Sequence, residues 1–174
     1  QITAVCEALK EHLPTLVQTA QDFDTVAYPL LQKGKRTAVC EALKEHLPTL
    51  IKTAQDFETV ASLLQPNQRT AVYEALKERL PTLVQTAQDF QTVIHRLQPD
   101  QITAVYEALK ERLPALIQTA QDFHTVIHPL QSDQITAVHE ALKERLPTLI
   151  QTALDFHTVI RPLQSDQITA VCEA

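Results

Sequence analysis

Thr136-Ala-Val-His-Glu-Ala-Leu-Lys-Glu-Arg-Leu-Pro-Thr-Leu-Ile-Gln-Thr-Ala-Leu-Asp-Phe-His-Thr-Val-Ile-Arg-Pro-Leu-Gln-Ser-Asp-Gln-Ile168 is the stretch that the rest of the chain copies. Near-copies begin at Thr3, Thr37, Thr70 and Thr103, and a partial one begins at Thr169. The spacing is 34 residues once and 33 thereafter. A fixed period of this length is the mark of a tandem array, in which each unit is one supersecondary element that buries its apolar face against its neighbours. The expected fold is therefore all-α: a right-handed α-solenoid of about five 33–34-residue helix-pair repeats, forming a single array over residues 1–174.

Composition agrees. Hydrophobic residues make up 44% and charged residues 21%, there is one Gly, and Met and Trp are absent. Ala, Leu, Glu, Gln and Lys dominate, all good helix formers. The formal net charge of -6 argues against a general basic surface for nucleic acid or anionic lipid. No apolar run approaches the length of a membrane span, about 18 residues or more, and no signal peptide is evident. Cys6, Cys40 and Cys172 share one repeat position with Tyr73, Tyr106 and His139. A disulfide framework does not exchange Cys for Tyr, so reduced thiols and an intracellular setting are expected. The chain starts without Met and stops inside a repeat, which reads as a piece of a longer array.

Within Leu97–Pro129, Leu97-Gln98-Pro99-Asp100-Gln101 reads as a helix start, with Pro in the first turn and Asp complementing the dipole. Ser132-Asp133 and Ser165-Asp166 offer N-cap side chains at the same place. Ile102, Val105, Leu109 and Leu113 follow at helical spacing, with Glu107, Lys110, Glu111 and Arg112 on the solvated side. Pro114 then removes a backbone donor. Two readings meet there. A second helix begins after the proline, with Thr148 and Gln151 as a capping box, or one long helix is kinked, since the stripe Leu113, Leu116, Ala120, Phe123, Ile127 keeps its phase. The recurrence of Pro with a capping residue favours the helix pair. The expected core is Leu142, Leu146, Leu149, Ile150, Phe156, Ile160 and their equivalents. The first connector, Leu31-Gln32-Lys33-Gly34-Lys35, is one residue longer and holds the only Gly, which suggests a looser turn.

The repeats differ in few places. Thr103–Ile135 and Thr136–Ile168 agree at 29 of 33 positions. Three positions change chemical type most across the array. One is the Cys/Tyr/His position. The second is Asp24, Glu58, Gln91, His124 and His157, and the third is Tyr28, Ser62, His95, His128 and Arg161. The second and third are four residues apart, so each pair shares a helix face. Stacked repeats would line these ten residues into a stripe. That stripe is either a recognition surface or a solvated face that has drifted after duplication.

No chemistry is expected. His124 and His128 stand four apart, but their equivalents form no consistent ligand set, and a structural metal site needs four. With one Gly there is no phosphate-cradling loop, and the cysteine position has no partner His in fixed relation. The chain is read as non-enzymatic, with no cofactor and no metal.

Two fragments carry a resemblance. Leu97-Gln98-Pro99-Asp100-Gln101-Ile102-Thr103-Ala104-Val105 resembles the repeat opening of transcription-activator-like (TAL) effectors, roughly Leu-Thr-Pro-Asp-Gln-Val-Val-Ala-Ile. Glu107-Ala108-Leu109-Lys110-Glu111-Arg112-Leu113-Pro114-Ala115-Leu116 is similar to the Leu-Pro-containing second helix of those repeats. In that family a residue pair between two helices reads one DNA base, so the resemblance implies a DNA-binding array. Placed by the opening fragment, the reading pair falls on Ala108-Leu109. Placed by Leu-Pro, it falls near His128-Pro129. The residues themselves favour a protein partner along the stripe, with nucleic acid as the alternative, no membrane, and end-to-end self-association as a further expectation.

Overall fold

The computed structural model describes residues 12–31 and 36–163, with 165, 167, 168 and 171 beyond them. The described residues are all-helical and contain no strand. Contacts divide the chain into two compact halves, Gln1–Leu83 and Val84–Ala174. The expected loose connector at 32–35 lies outside the described residues, as do Cys6 and Cys172.

The first half contains α1 (Leu13–Leu16), α2 (Ala20–Leu31), α3 (Arg36–Leu43), α4 (Leu47–Leu50), α5 (Ala54–Leu63), α6 (Pro66–Leu76) and α7 (Leu80–Leu83). The second contains α8 (Ala87–Ile94), α9 (Pro99–Leu109), α10 (Leu113–Leu116), α11 (Ala120–Ile127), α12 (Ser132–Leu142), α13 (Leu146–Leu149) and α14 (Ala153–Ile160). One pattern recurs: a long helix, a four-residue helix beginning at Leu-Pro, and a third helix beginning at Ala. The kinked-helix reading is therefore overturned, and the break at Leu-Pro holds. The next full helix, however, does not start at the proline but at Ala120, after the four-residue helix.

The cause is local. Pro114 lacks the N–H that would bond to the carbonyl four residues back. The long helix ends at Leu109, and the turn closes through the Arg112 N–H on the Leu109 carbonyl at 2.7 Å. Pro114 then serves in the first turn of α10, where a missing N–H is harmless. Ile117 leaves the helix in extended conformation. The Thr148–Gln151 capping box does not form: Thr148 Oγ1 donates back to the Arg145 carbonyl at 2.7 Å. The box falls four residues later. Thr152 Oγ1 accepts from the Asp155 N–H at 3.2 Å, and Asp155 Oδ2 accepts from the Thr152 N–H at 2.9 Å. Thr53/Asp56, Thr86/Asp89 and Thr119/Asp122 do the same. In α2 this exchange holds the Asp22 carboxyl below its ordinary pKa, mainly through Thr19 and then the Gln18 N–H.

The long helices begin one residue earlier than the serines suggested. Gln131 is the N-cap of α12 and Ser132 is its first residue; the Gln134 side chain takes the Gln131 N–H at 3.0 Å. Pro99 opens α9 as expected, and Pro66 opens α6 in the same way.

In the first half α2 packs on α3 and α5, α1 on α3, and α4 on α6. In the second, α11 packs on α8, α12 and α14, with α9 on α8 and α10 on α12. Phe23, Phe57, Phe90 and Phe123 are fully buried. The expected core holds at Leu142, Leu146 and Leu149. It fails at Phe156, which is 38% exposed, and is only partial at Ile150 and Ile160. The helix face is the apolar one; among the described helices α14 packs closely on α11, whereas α11 has α8, α12 and α14 around it.

Candidate functional site

The stripe lies on the third helix of each repeat, whose entry angle is set by the Thr–Asp box. Asp24, Glu58, Gln91 and His124 are half-buried near the middle of α2, α5, α8 and α11, and His157 is exposed on α14. Tyr28 and Ser62 are exposed toward the ends of α2 and α5. His95, His128 and Arg161 are exposed at the C-caps of α8, α11 and α14. The four-residue spacing brings each pair onto one face: the His124 and His128 rings are 5.6 Å apart.

The two halves carry different chemistry there. In the first, carboxylates are steadied by amides one turn earlier: Gln21 Nε2 donates to Asp24 Oδ2 and Gln55 Nε2 to Glu58 Oε2, each at 3.3 Å. In the second, Gln88 Nε2 donates to Gln91 Oε1 at 3.2 Å, and beyond it come imidazoles and a guanidinium. Burial, then the neighbouring His128, then Arg161 all press the His124 pKa below its ordinary value. Arg161 belongs to the next repeat, on α14, which packs on α11.

A titration prediction follows. His124 is expected to hold its proton less well in the folded state than unfolded. Its contribution to stability is then complete above the unfolded pKa and is lost as pH falls through the folded one. Arg161→Gln removes one repulsive charge and should move the His124 midpoint upward in a proton NMR titration. An unchanged midpoint would mean that Arg161 does not face His124.

The third variable position is not part of this surface. Cys40, Tyr73, Tyr106 and His139 are all buried. Cys40 is a thiol outside any disulfide. It lines a cleft of about 320 Å³ between α3 and α6, with Leu64 and Val72 opposite. The matching cleft at Tyr106, between α9 and α12, is about 220 Å³. This position sets how full the groove between successive long helices is. At His139 neither ring nitrogen has a hydrogen-bond partner, and the Glu140 carboxylate stays 3.7 Å away.

Arg112 is exposed, as the sequence suggested, and so are its equivalents Arg79 and Arg145. What the sequence reading missed is that each also reaches back one repeat, to carbonyls at the end of the preceding four-residue helix. Arg145 Nη1 and Nη2 donate to the Pro114 and Ile117 carbonyls at 2.9 and 3.1 Å. Arg112 Nη2 donates to Val84 at 3.2 Å and Arg79 Nη2 to Ile51 at 3.2 Å. His46 Nε2 lies 2.9 Å from the Val17 carbonyl. These carbonyls are the orphan acceptors of a helix C-terminus, so the base before each Leu-Pro acts as a latch between repeats. The signal was present: that position is His12, His46, Arg79, Arg112 or Arg145, a base every time.

The lysines pair with acids one turn earlier on the same helix. Lys77, Lys110 and Lys143 lie 3.2, 3.0 and 3.4 Å from Glu74, Glu107 and Glu140. Among the described residues no group of three or more His, Cys, Asp or Glu side chains is placed to hold a metal ion. Among them, too, no helix is long and apolar enough to cross a membrane. No protein-family model matches the chain, and no curated protein sequence matches it.

Proposed function

We propose that the chain is a non-enzymatic scaffold, a right-handed α-solenoid of about five repeats, that binds a protein partner along the stripe. An intracellular setting belongs to this reading, in keeping with the Cys40 thiol. One observation carries it. Two of the positions that change most in chemical type, one half-buried in four of the five repeats and the other exposed throughout, lie on one face of the same helix in each repeat. The Thr, Asp and Phe around them are the same in every repeat. A constant frame with a variable pair at the surface is what an extended recognition surface requires.

The test is a selection of binders from a displayed protein-fragment library, using the wild type and a variant with Gln91, His95, His124, His128, His157 and Arg161 changed to Ala. These side chains lie at the surface, so the variant should keep its fold. Binders enriched by the wild type should fail to bind the variant. Binders that hold both equally would overturn the reading.

Nucleic acid is the alternative, resting on the TAL resemblance. The paired lysines and latched arginines speak against it, since a phosphate track needs cations free to displace counterions. We expect duplex DNA to bind no tighter than non-specific levels, about 10⁻⁴–10⁻⁶ M at physiological salt. Titration with mixed-sequence duplex at two salt concentrations checks this. Sub-micromolar affinity that falls steeply with salt would install the DNA reading.

A further inference from the structure

We propose that the stripe of the second half, His95, His124, His128 and Arg161, is a docking track for an acidic protein segment, whose carboxylates pair with the imidazole and guanidinium groups. The inference rests on the partner-binding reading above and adds the chemistry of the partner.

The track lies within Val84–Ala174, on three third helices: α8 packs on α11, and α11 on α14. His95, His128 and Arg161 are exposed at the three C-caps. Their equivalents Tyr28 and Ser62 are exposed as well, so this position is at the surface in every repeat. His124 stands one turn before His128, with the rings 5.6 Å apart. Every ionisable group at the stripe positions of this half is a base, His157 of α14 included, whereas the first half has Asp24 and Glu58 there. The bases act on one another: after burial, it is the charges of His128 and Arg161 that oppose a proton on His124. An anion relieves such a cluster of like charges.

The acids of the surrounding helices are engaged elsewhere. Asp89, Asp122 and Asp155 lie in the first turns of α8, α11 and α14, where each accepts the backbone N–H of its capping threonine. They precede the nearer stripe position by two residues, a spacing that does not share a helix face. On the long helices α9 and α12, Glu107 pairs with Lys110 and Glu140 with Lys143, and His139 is buried. Asp100 and Asp133 stand in the first turns of those helices, where the dipole favours them. The Asp133 charge bears on Tyr106 of α9.

A partner segment therefore has to supply the negative charge. Packed helices lie about 8–10 Å apart, and a polyproline II segment returns to the same side every third residue, about 9 Å on. An acid at every third position then meets successive helices. The probe is a fluorescein-labelled peptide of three Glu-Pro-Pro triplets, with a Gln-Pro-Pro counterpart, followed by fluorescence anisotropy at about pH 6 and about pH 8. The Glu peptide should bind about tenfold tighter at the lower pH, where imidazoles gain charge and carboxylates keep theirs, and salt should release it. His95→Gln, His128→Gln and Arg161→Gln combined, all at exposed sites, should weaken binding about tenfold at the lower pH and flatten the pH response, with circular dichroism unchanged. Lys143→Gln, at an exposed base off the track, should bind as the wild type does. No binding at either pH would overturn the proposal. So would equal binding of the Gln peptide, a wild type indifferent to pH, or an unaffected triple variant. Library binders that need the stripe but are not acidic would sink this inference and leave the partner-binding reading standing.

Discussion

Phe123→Ala is expected to cost about 3–5 kcal/mol, and Phe156→Ala, on the same face of an equivalent helix, on the order of 1 kcal/mol. Phe123 is fully buried on α11, which α8, α12 and α14 surround. Truncation there removes the transfer energy of the ring and leaves a cavity whose walls belong to several helices and cannot all close. Phe156 is 38% exposed, so less buried surface is lost and the vacated space opens to water. His157→Ala, exposed on the stripe, should stay within about 0.5 kcal/mol. Urea unfolding followed by circular dichroism measures all three. Equal losses for the two phenylalanines would mean that α14 is covered as fully as α11.

The period and the helical class were legible because each repeat restates them. Apolar residues at three- and four-residue spacing, one Gly in 174 residues and a Pro at every Leu-Pro admit little else. Where the third helix starts was less legible. Thr148-Leu-Ile-Gln and Thr152-Ala-Leu-Asp both offer a Thr with a side-chain acceptor three residues on, four residues apart, and the first lies just after Pro147. The Leu-Pro turn wins its own four residues as a separate helix, so Thr148 lies inside it. The invariance of Thr-Ala-x-Asp-Phe in all five repeats was the better signal. Phe156 was misjudged for a different reason. Periodicity says which face is apolar, but not whether a neighbour lies over it. The stripe positions emerged where helical geometry put them, since four-residue spacing on one helix leaves no freedom. The latch arginines did not, because a guanidinium is long enough to reach another repeat, and local spacing says nothing about what it meets there.

Arg145→Ala is expected to destabilise the second half by about 1–2 kcal/mol, the range of hydrogen bonds from a charged donor that remains partly solvated. Lys143→Ala, two residues away, should change stability by no more than about 0.5 kcal/mol, since its pairing with Glu140 is an exposed ion pair. The difference lies in what each cation satisfies. Arg145 holds the Pro114 and Ile117 carbonyls at the end of α10, a helix of four residues with few internal bonds of its own. Its positive charge also sits at a helix C-terminus, where the dipole favours it. Arg145→Lys should recover only part of the loss, because an ammonium cannot span two carbonyls as a planar fork does. The contact joins one repeat to the next, so its loss should weaken coupling as well as stability. In an array whose cooperativity comes from nearest-neighbour interfaces, the Arg145→Ala transition should broaden, with a smaller denaturant slope as well as a lower midpoint. Lys143→Ala should leave the slope unchanged. If both variants unfold alike, the arginine contacts are no more than surface hydrogen bonds, and the repeats are held together by their apolar faces alone.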